Sequence, residues 1–494
     1  MPTIGLELCD AGFLTAASDH TEAKLLAIAD RQGATDWPGF AYHEGSTFSF
    51  GRSAEDMWFV HPRRVAHTFW SKLAHDSVST LNLTGRPPSF SELSFFFLRE
   101  FNTRLVAAAG PLEKLVLAVP GAYLKDSATE EEKVGLLLGM ASELKLPLAG
   151  IIDMACAALC DPRAPGFNPT LPVVVVDVHL EGSDLTFLTA EERLERRHFL
   201  HLPNSGQAQL LKHLTATMGN RFLRHTAFDI LEDGRVEQMF FRQTKDFLLS
   251  GADEHRYQIN TATRTYELLA KHEQLSTDAQ AFVATLVQGV QSFVEHSAHA
   301  PGLCTVALTA RSCAVPGLEA KLRAAGFQRQ IRLPVGAAAA GAARIGAGRL
   351  NVPDDLADVP VELAVPLADT RRVAAAAWEV RLQKDRPATP RPAPTHAIHA
   401  GLGHALSPHA RFTIGAANAR ADLSLPESFS SDDCVVSLLR DNGRLWFTDP
   451  TSARNGEAVT RVSVEAGDRL TLKTGNATAE VLFVHCPDAG AVRP

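Results

Sequence analysis

The chain has few cysteines, no apolar run long enough to cross a bilayer, no excess of positive charge and no Gly-Lys dipeptide. Each shortage removes a class of function. Seven cysteines among 494 residues are too sparse for a disulfide framework, and an odd number cannot pair completely within one chain. The closest pairs, Cys156 with Cys160 and Cys304 with Cys313, lack zinc-ribbon spacing, and single cysteines in apolar runs read as small core residues. The most apolar stretches, Leu146–Cys160 and Leu333–Ala343, fall short of the ~20 residues that a bilayer requires, and Asp153 interrupts the first. The opening residues lack a basic segment and carry Glu7 and Asp10 where an export signal is apolar, so a cytoplasmic location is expected. With 48 Lys and Arg against 56 Asp and Glu, the net charge of −8 gives no general attraction to nucleic acid or anionic lipid. Without Gly-Lys there is no phosphate loop of the G-x-x-x-x-G-K type. Gly346-Ala347-Gly348 and Gly401-Leu402-Gly403 neither follow a strand nor open a helix, which argues against a dinucleotide site.

What is present is an ordinary globular composition, 45% hydrophobic and 21% charged, long enough for about three domains of ~150 residues. Residues 1–350 alternate strand-like and helix-like pieces. Strands are predicted at Ile4–Leu8, Leu115–Val119, Val173–Val176 (ending at Asp177), Leu185–Leu188 and Thr305–Leu308. Ser89-x-x-Glu92 and Thr129-x-x-Glu132 have capping-box spacing and open two amphipathic helices. Two more helices are expected at Pro316–Ala325 and Val335–Ile345. Prolines then accumulate through residues 351–395, ending in Arg386-Pro387-Ala388-Thr389-Pro390-Arg391-Pro392-Ala393-Pro394, a stiff tether by composition. Residues 396–487 carry short strand-like runs separated by Asp441-Asn442-Gly443, Arg454-Asn455-Gly456 and Ala466-Gly467-Asp468, which suggests a small β-sandwich. His396, His399, His404 and His409 fit no zinc spacing and read as solvated.

Five segments of residues 1–350, taken in order, resemble the ATPase domain of the heat-shock protein 70 chaperones, within the actin and sugar-kinase superfamily. Ile4-Gly5-Leu6-Glu7-Leu8-Cys9-Asp10 stands where that family has its first phosphate loop, and Leu117-Ala118-Val119-Pro120-Gly121-Ala122-Tyr123 resembles a strand end. Ile151-Ile152-Asp153-Met154-Ala155-Cys156-Ala157-Ala158-Leu159 is similar to the family's I-I-N-E-P-T-A-A-A-L, and Val175–Asp184 falls at the second phosphate loop. Leu308-Thr309-Ala310-Arg311-Ser312-Cys313-Ala314-Val315-Pro316 resembles the adenosine motif. The resemblance implies an α/β, two-lobed actin-like fold over residues 1–350. It further implies that Glu7 and Asp177 hold magnesium through water, that Lys72 and Asp153 are the catalytic lysine and water-orienting acid, and that Asp10, Lys245, Arg311 and Ser312 line an ATP site. The module at 396–487 is similar to a forkhead-associated domain, a phosphothreonine-binding β-sandwich, through Phe412-Thr413-Ile414-Gly415, Asp422-Leu423-Ser424-Leu425-Pro426, Asp449–Gly456 and Gly467-Asp468.

The departures from both families bear on chemistry. Glycines in phosphate loops let backbone N–H groups reach phosphate oxygens, but here Cys9, Asp10 and Ala11 stand in one loop and His179, Leu180 and Glu181 in the other. Two like charges 4 Å apart repel by about 4 kcal/mol at an effective dielectric of 20, so Asp10 and Glu181 would oppose a polyanion. Ala310 and Arg311 replace a glycine pair, and Ala314 replaces an arginine. In the β-module, Ala416 and Ser430-Ser431-Asp432-Asp433-Cys434 replace the phosphate-reading arginine and serine–histidine loop, so phosphothreonine peptide is not an expected partner. The expectation is a pseudo-ATPase scaffold or chaperone-like adaptor that takes other proteins as partners, and no cofactor. The alternative is an ATP-dependent clamp with weak ATP and magnesium binding and slow hydrolysis. A sugar kinase would need working phosphate loops.

Overall fold

Consecutive β-branched residues favour extended backbone, where their stiff side chains lose little freedom. Val173-Val174-Val175-Val176 accordingly lie in a strand, Val173–Val178, all six of whose residues are buried. It runs past Asp177 because that acid, bonded to Thr309 and Arg311, can be buried in register. A computed structural model of the chain describes residues 2–19, 22–28, 35–45, 47–79, 81, 86–169, 171–190, 193–297, 299, 301–366, 379–384, 391–406, 412–416, 421–426, 429, 436–441, 443–448, 461–474 and 477–486. These form a mixed α/β chain with several sheets.

Two large sheets share one plan. The first contains β1 (Thr3–Glu7), β2 (Phe13–Ser18), β3 (Ala23–Leu25), β4 (Leu115–Val119) and β5 (Leu148–Asp153), in the spatial order β3-β2-β1-β4-β5. The second contains β6 (Val173–Val178), β7 (Gly182–Ala190), β8 (Arg193–Pro203), β9 (Thr305–Leu308) and β10 (Arg329–Arg332), ordered β8-β7-β6-β9-β10. In each, three antiparallel strands follow one another and two further strands join parallel to the first. Parallel neighbours need crossovers, and the helix Ser127–Glu143 supplies the one from β4 to β5. The helix Phe90–Ala109 begins at Ser89 with the expected capping box. The helix Ser127–Glu143 begins earlier than the Thr129 spacing predicts. Asp126 caps it by accepting the Thr129 amide, which places Thr129 inside the first turn.

Among the helices that contribute residues to the wall of one large cavity are α1 (Met154–Leu159), α2 (Gly234–Ser250), α3 (Ala310–Cys313) and α4 (Ala337–Arg349). Val116 and Ala118 of the first sheet, Val173 and Val175 of the second, Ala155, Ala157 and Ala158 of α1 and Ala337, Ala338 and Ala342 of α4 share one buried cluster. A Cβ on Gly341 of α4 would lie 1.7 Å from the Ala157 carbonyl oxygen of α1, so these helices cross at a separation only glycine permits. Gly341→Ala should cost about 1–3 kcal/mol, the usual penalty of overpacking, read as a lowered thermal midpoint.

The stretch that prolines mark as a tether carries strands at both ends. Val361–Glu362 joins the first sheet beside β5, and Ala364–Pro366 joins the second beside β8. Glu362 pairs with both Arg349 and Arg193. Glu379–Gln383 pairs with the late strand Arg469–Thr474. Arg386–Pro390 lies outside the described residues. Further along, two five-stranded sheets share one apolar core that includes Ile414, Leu438, Phe447, Leu472 and Phe483. His396, His399 and His404 sit half-buried on the hairpin His396–His399 with Leu402–Ala405. His409, the Ser430–Cys434 loop and the Asp449–Gly456 turn lie outside the described residues.

Candidate functional site

A strand that ends beside another sheet presents its last side chain to the gap between them. Glu7 ends β1 and Asp177 stands next to last in β6, both buried. Arg311 enters from α3, the short helix that follows β9 and is capped by Thr309. Its guanidinium donates to Glu7 Oε1 at 2.6 Å and to Asp177 Oδ1 and Oδ2 at 3.1 and 2.9 Å. One cation therefore bridges two carboxylates from different sheets. Thr309 Oγ1 donates to Asp177 Oδ1 at 2.8 Å. Burial pushes the Asp177 carboxyl up, but the Arg311 guanidinium, with His179 and Thr309, more than reverses this and holds it at about 2.

His179 continues the network. Its Nδ1 lies 3.0 Å from Cys9 Sγ, and its Nε2 lies 3.2 Å from Asp184 Oδ2 and 3.6 Å from Asp177 Oδ2. Asp184 also meets Nδ1 of the half-exposed His201 at 2.7 Å. Burial disfavours the His179 charge, yet Asp177, Cys9 and Asp184 hold the imidazole protonated well above its usual range. Burial would raise the Asp184 carboxyl, but His179 and then His201 lower it. The site thus joins the two sheets through two contacts, Glu7–Arg311 and Cys9–His179.

Above this floor lies the cavity, of about 790 Å³, walled by Arg52, Lys245, Val315 and Val335 among others. Six carboxylates (Glu7, Asp36, Asp177, Asp184, Asp246, Glu319) and five lysine or arginine side chains (Arg52, Lys245, Arg311, Arg323, Arg332) line it, so it has no surplus of positive charge with which to draw a polyanion. Most of these charges are paired locally: Arg52 with Asp36 at 2.8 Å, Arg332 with Glu319 at 2.7 Å, and Lys245 with Glu55.

No known family model matches the chain, and no curated protein matches it. The site is therefore read from its own atoms.

Glu7, Asp177, Lys245 and Arg311 all reach the cavity wall. Ser312 is turned away: its hydroxyl donates to the Val176 carbonyl at 2.7 Å and accepts the Val178 amide at 3.1 Å, pinning α3 to β6. Asp10 accepts the Trp70 and Ser71 amides at 3.0 and 2.8 Å, fastening one loop to another. Burial pushes its carboxyl up to about 6 despite those donors. Asp153 caps α1 through the Ala155 and Cys156 amides and pairs with Arg196 at 2.8 Å. Lys72 is exposed, and neither it nor Asp153 lines the cavity. Glu181 lies 3.1 Å from His67 Nδ1, also off the cavity wall.

The carboxylate pair does not fit a magnesium ion as arranged, because a guanidinium already stands within hydrogen-bond distance of both acids. No group of ligating side chains suited to a metal occurs among the described residues. The partnerships of Asp153 with Arg196 and of Asp184 with His201 have no sequence signal beyond a polar residue in an apolar strand, since β8 delivers both partners from some distance along the chain.

Proposed function

We propose that residues 1–350 form a degenerate, actin-like ATPase fold of the heat-shock-chaperone kind, working as a pseudo-ATPase scaffold or chaperone-like adaptor for other proteins. Residues 396–487, on this reading, are a forkhead-associated-like sandwich that adds a second docking surface without phosphothreonine preference. The repeated strand order of the two sheets supports the fold assignment. The observation that carries the functional reading is the Arg311 clamp. Both carboxylates that would hold a cation are already bonded to Arg311, with His179 beside Asp177, so a metal would have to displace a guanidinium to reach them. The balanced charge of the cavity and the absence of bare glycines at residues 9–11 and 179–181 support the same conclusion.

The cavity itself, with Glu7, Asp177 and Lys245 on its wall, favours a second reading as an ATP-dependent clamp of weak affinity. Titration calorimetry decides between them. The full chain should give no binding heat with magnesium and ATP up to millimolar nucleotide, whereas a micromolar dissociation constant would end the scaffold reading.

A further inference from the structure

The small sheet Ala41–Glu44, Thr47–Phe50 and Val65–Ala66 is inserted between β3 and β4, and α2 is inserted between β8 and β9. These two insertions meet each other, and Lys245 of their contact also lines the cavity. Trp58 packs edge-on against Phe241 with ring centroids 5.4 Å apart, and Phe59 lies 5.1 Å from the same ring. The Phe59 amide donates to Oε1 of the buried Gln238 at 3.0 Å. Ion pairs Asp56–Arg242 and Glu55–Lys245 flank the aromatic contact. A Cβ on Gly234, the first residue of α2, would lie 2.6 Å from the Phe59 carbonyl oxygen, so the backbones touch. Phe40, Tyr42, Ala54 and Trp58 belong to the same buried cluster as Phe222, Phe240 and Phe241.

A cleft that opens and shuts on a ligand has its mouth edged by groups that water can solvate when it opens. Here the two halves meet in an aromatic contact beside a part-buried amide–carbonyl bond, so separating them would expose aromatic surface and strand a polar donor. Arg311 and His179 tie the floor. We propose that this contact and the Arg311–His179 network together hold the cleft at one width, so that the two α/β halves move as one rigid body whose spacing does not respond to nucleotide. The contacts of Trp58 and Phe59 with Phe241 are independent of the Arg311 clamp, so the inference goes beyond the scaffold reading and can fail separately from it.

The test is a spin-label distance measurement on the full chain, with Cys313, Cys434 and Cys486 replaced by serine and labels at Thr47→Cys and Glu273→Cys, both exposed positions. The expected result is one narrow distance, the same with and without magnesium and ATP. Trp58→Ala combined with Phe241→Ala should add a longer-distance population on the order of 10% or more. Gly234→Ala, which keeps every side chain of the contact, should broaden the distribution in the same direction. A wild-type chain with two distances, or one that shifts with nucleotide, overturns the proposal whether or not the variants fold. So does a folded double variant that keeps the single narrow distance.

Discussion

Replacing Arg311 with alanine should destabilise the chain by about 3–5 kcal/mol, the range for removing one partner of a buried ion pair. The side chains concerned are almost fully buried, with Arg311 15%, Glu7 4% and Asp177 8% exposed. Alanine would leave Glu7 without its guanidinium and Asp177 with His179, 3.6 Å away, as the counter-charge that remains. Urea unfolding at neutral pH measures the loss. Adding Glu7→Gln and Asp177→Asn to the same chain should recover most of it, because the neutral amides no longer need the guanidinium. Millimolar magnesium should raise the melting temperature of the Arg311→Ala chain and leave the wild type unchanged, since only the variant has lost the guanidinium between the two acids. A loss below about 1 kcal/mol, the range of an exposed pair, would mean that Arg311 does not bridge the pair.

The second large effect is expected from pH acting on Asp10. Its carboxyl stands at about 6 in the folded chain against an ordinary value near 3.9 in an unfolded one. The folded state keeps its proton while the unfolded state has lost it, so this group stabilises the fold most below about pH 4 and the stabilisation disappears as pH rises through about 6. Two pH units at 1.36 kcal/mol each give about 3 kcal/mol. Asp10→Asn cannot ionise, so the stability difference between wild type and variant should change by about that amount between pH 4 and pH 6.5. Unfolding curves at four pH values check it, and parallel wild-type and variant profiles would refute it. Asp177 acts in the opposite sense at lower pH. Its carboxyl is held at about 2, so its stabilisation is present above about pH 4 and is lost on going down to pH 2.

Much of the secondary structure is legible in the sequence because its causes are local. The valine run at residues 173–176, the Ser89–Glu92 capping box and the strand Leu115–Val119 each follow from side chains within a few positions of one another. The start of Ser127–Glu143 departs from the Thr129 spacing for a reason equally local: the Asp126 carboxylate reaches the Thr129 amide and completes the first turn sooner. The short strands at 361–366 are not legible. Their two- and three-residue lengths carry no pattern, and they form because the edges of β5 and β8 offer unpaired backbone groups.

The site divides in the same way. Sequence alone determined which acids and bases stand at the strand ends and loops (Glu7, Asp177 and Arg311), and that glycine is missing from the turns beside them. Only the tertiary structure decided that Arg311, 304 positions from Glu7 along the chain, lies between the two carboxylates, that Asp153 is taken by Arg196, and that Trp58 and Phe241 meet. Such pairings depend on where sheets and insertions come to rest in space. A buried charge must find its partner wherever the fold brings one near, and no spacing in the chain encodes that choice.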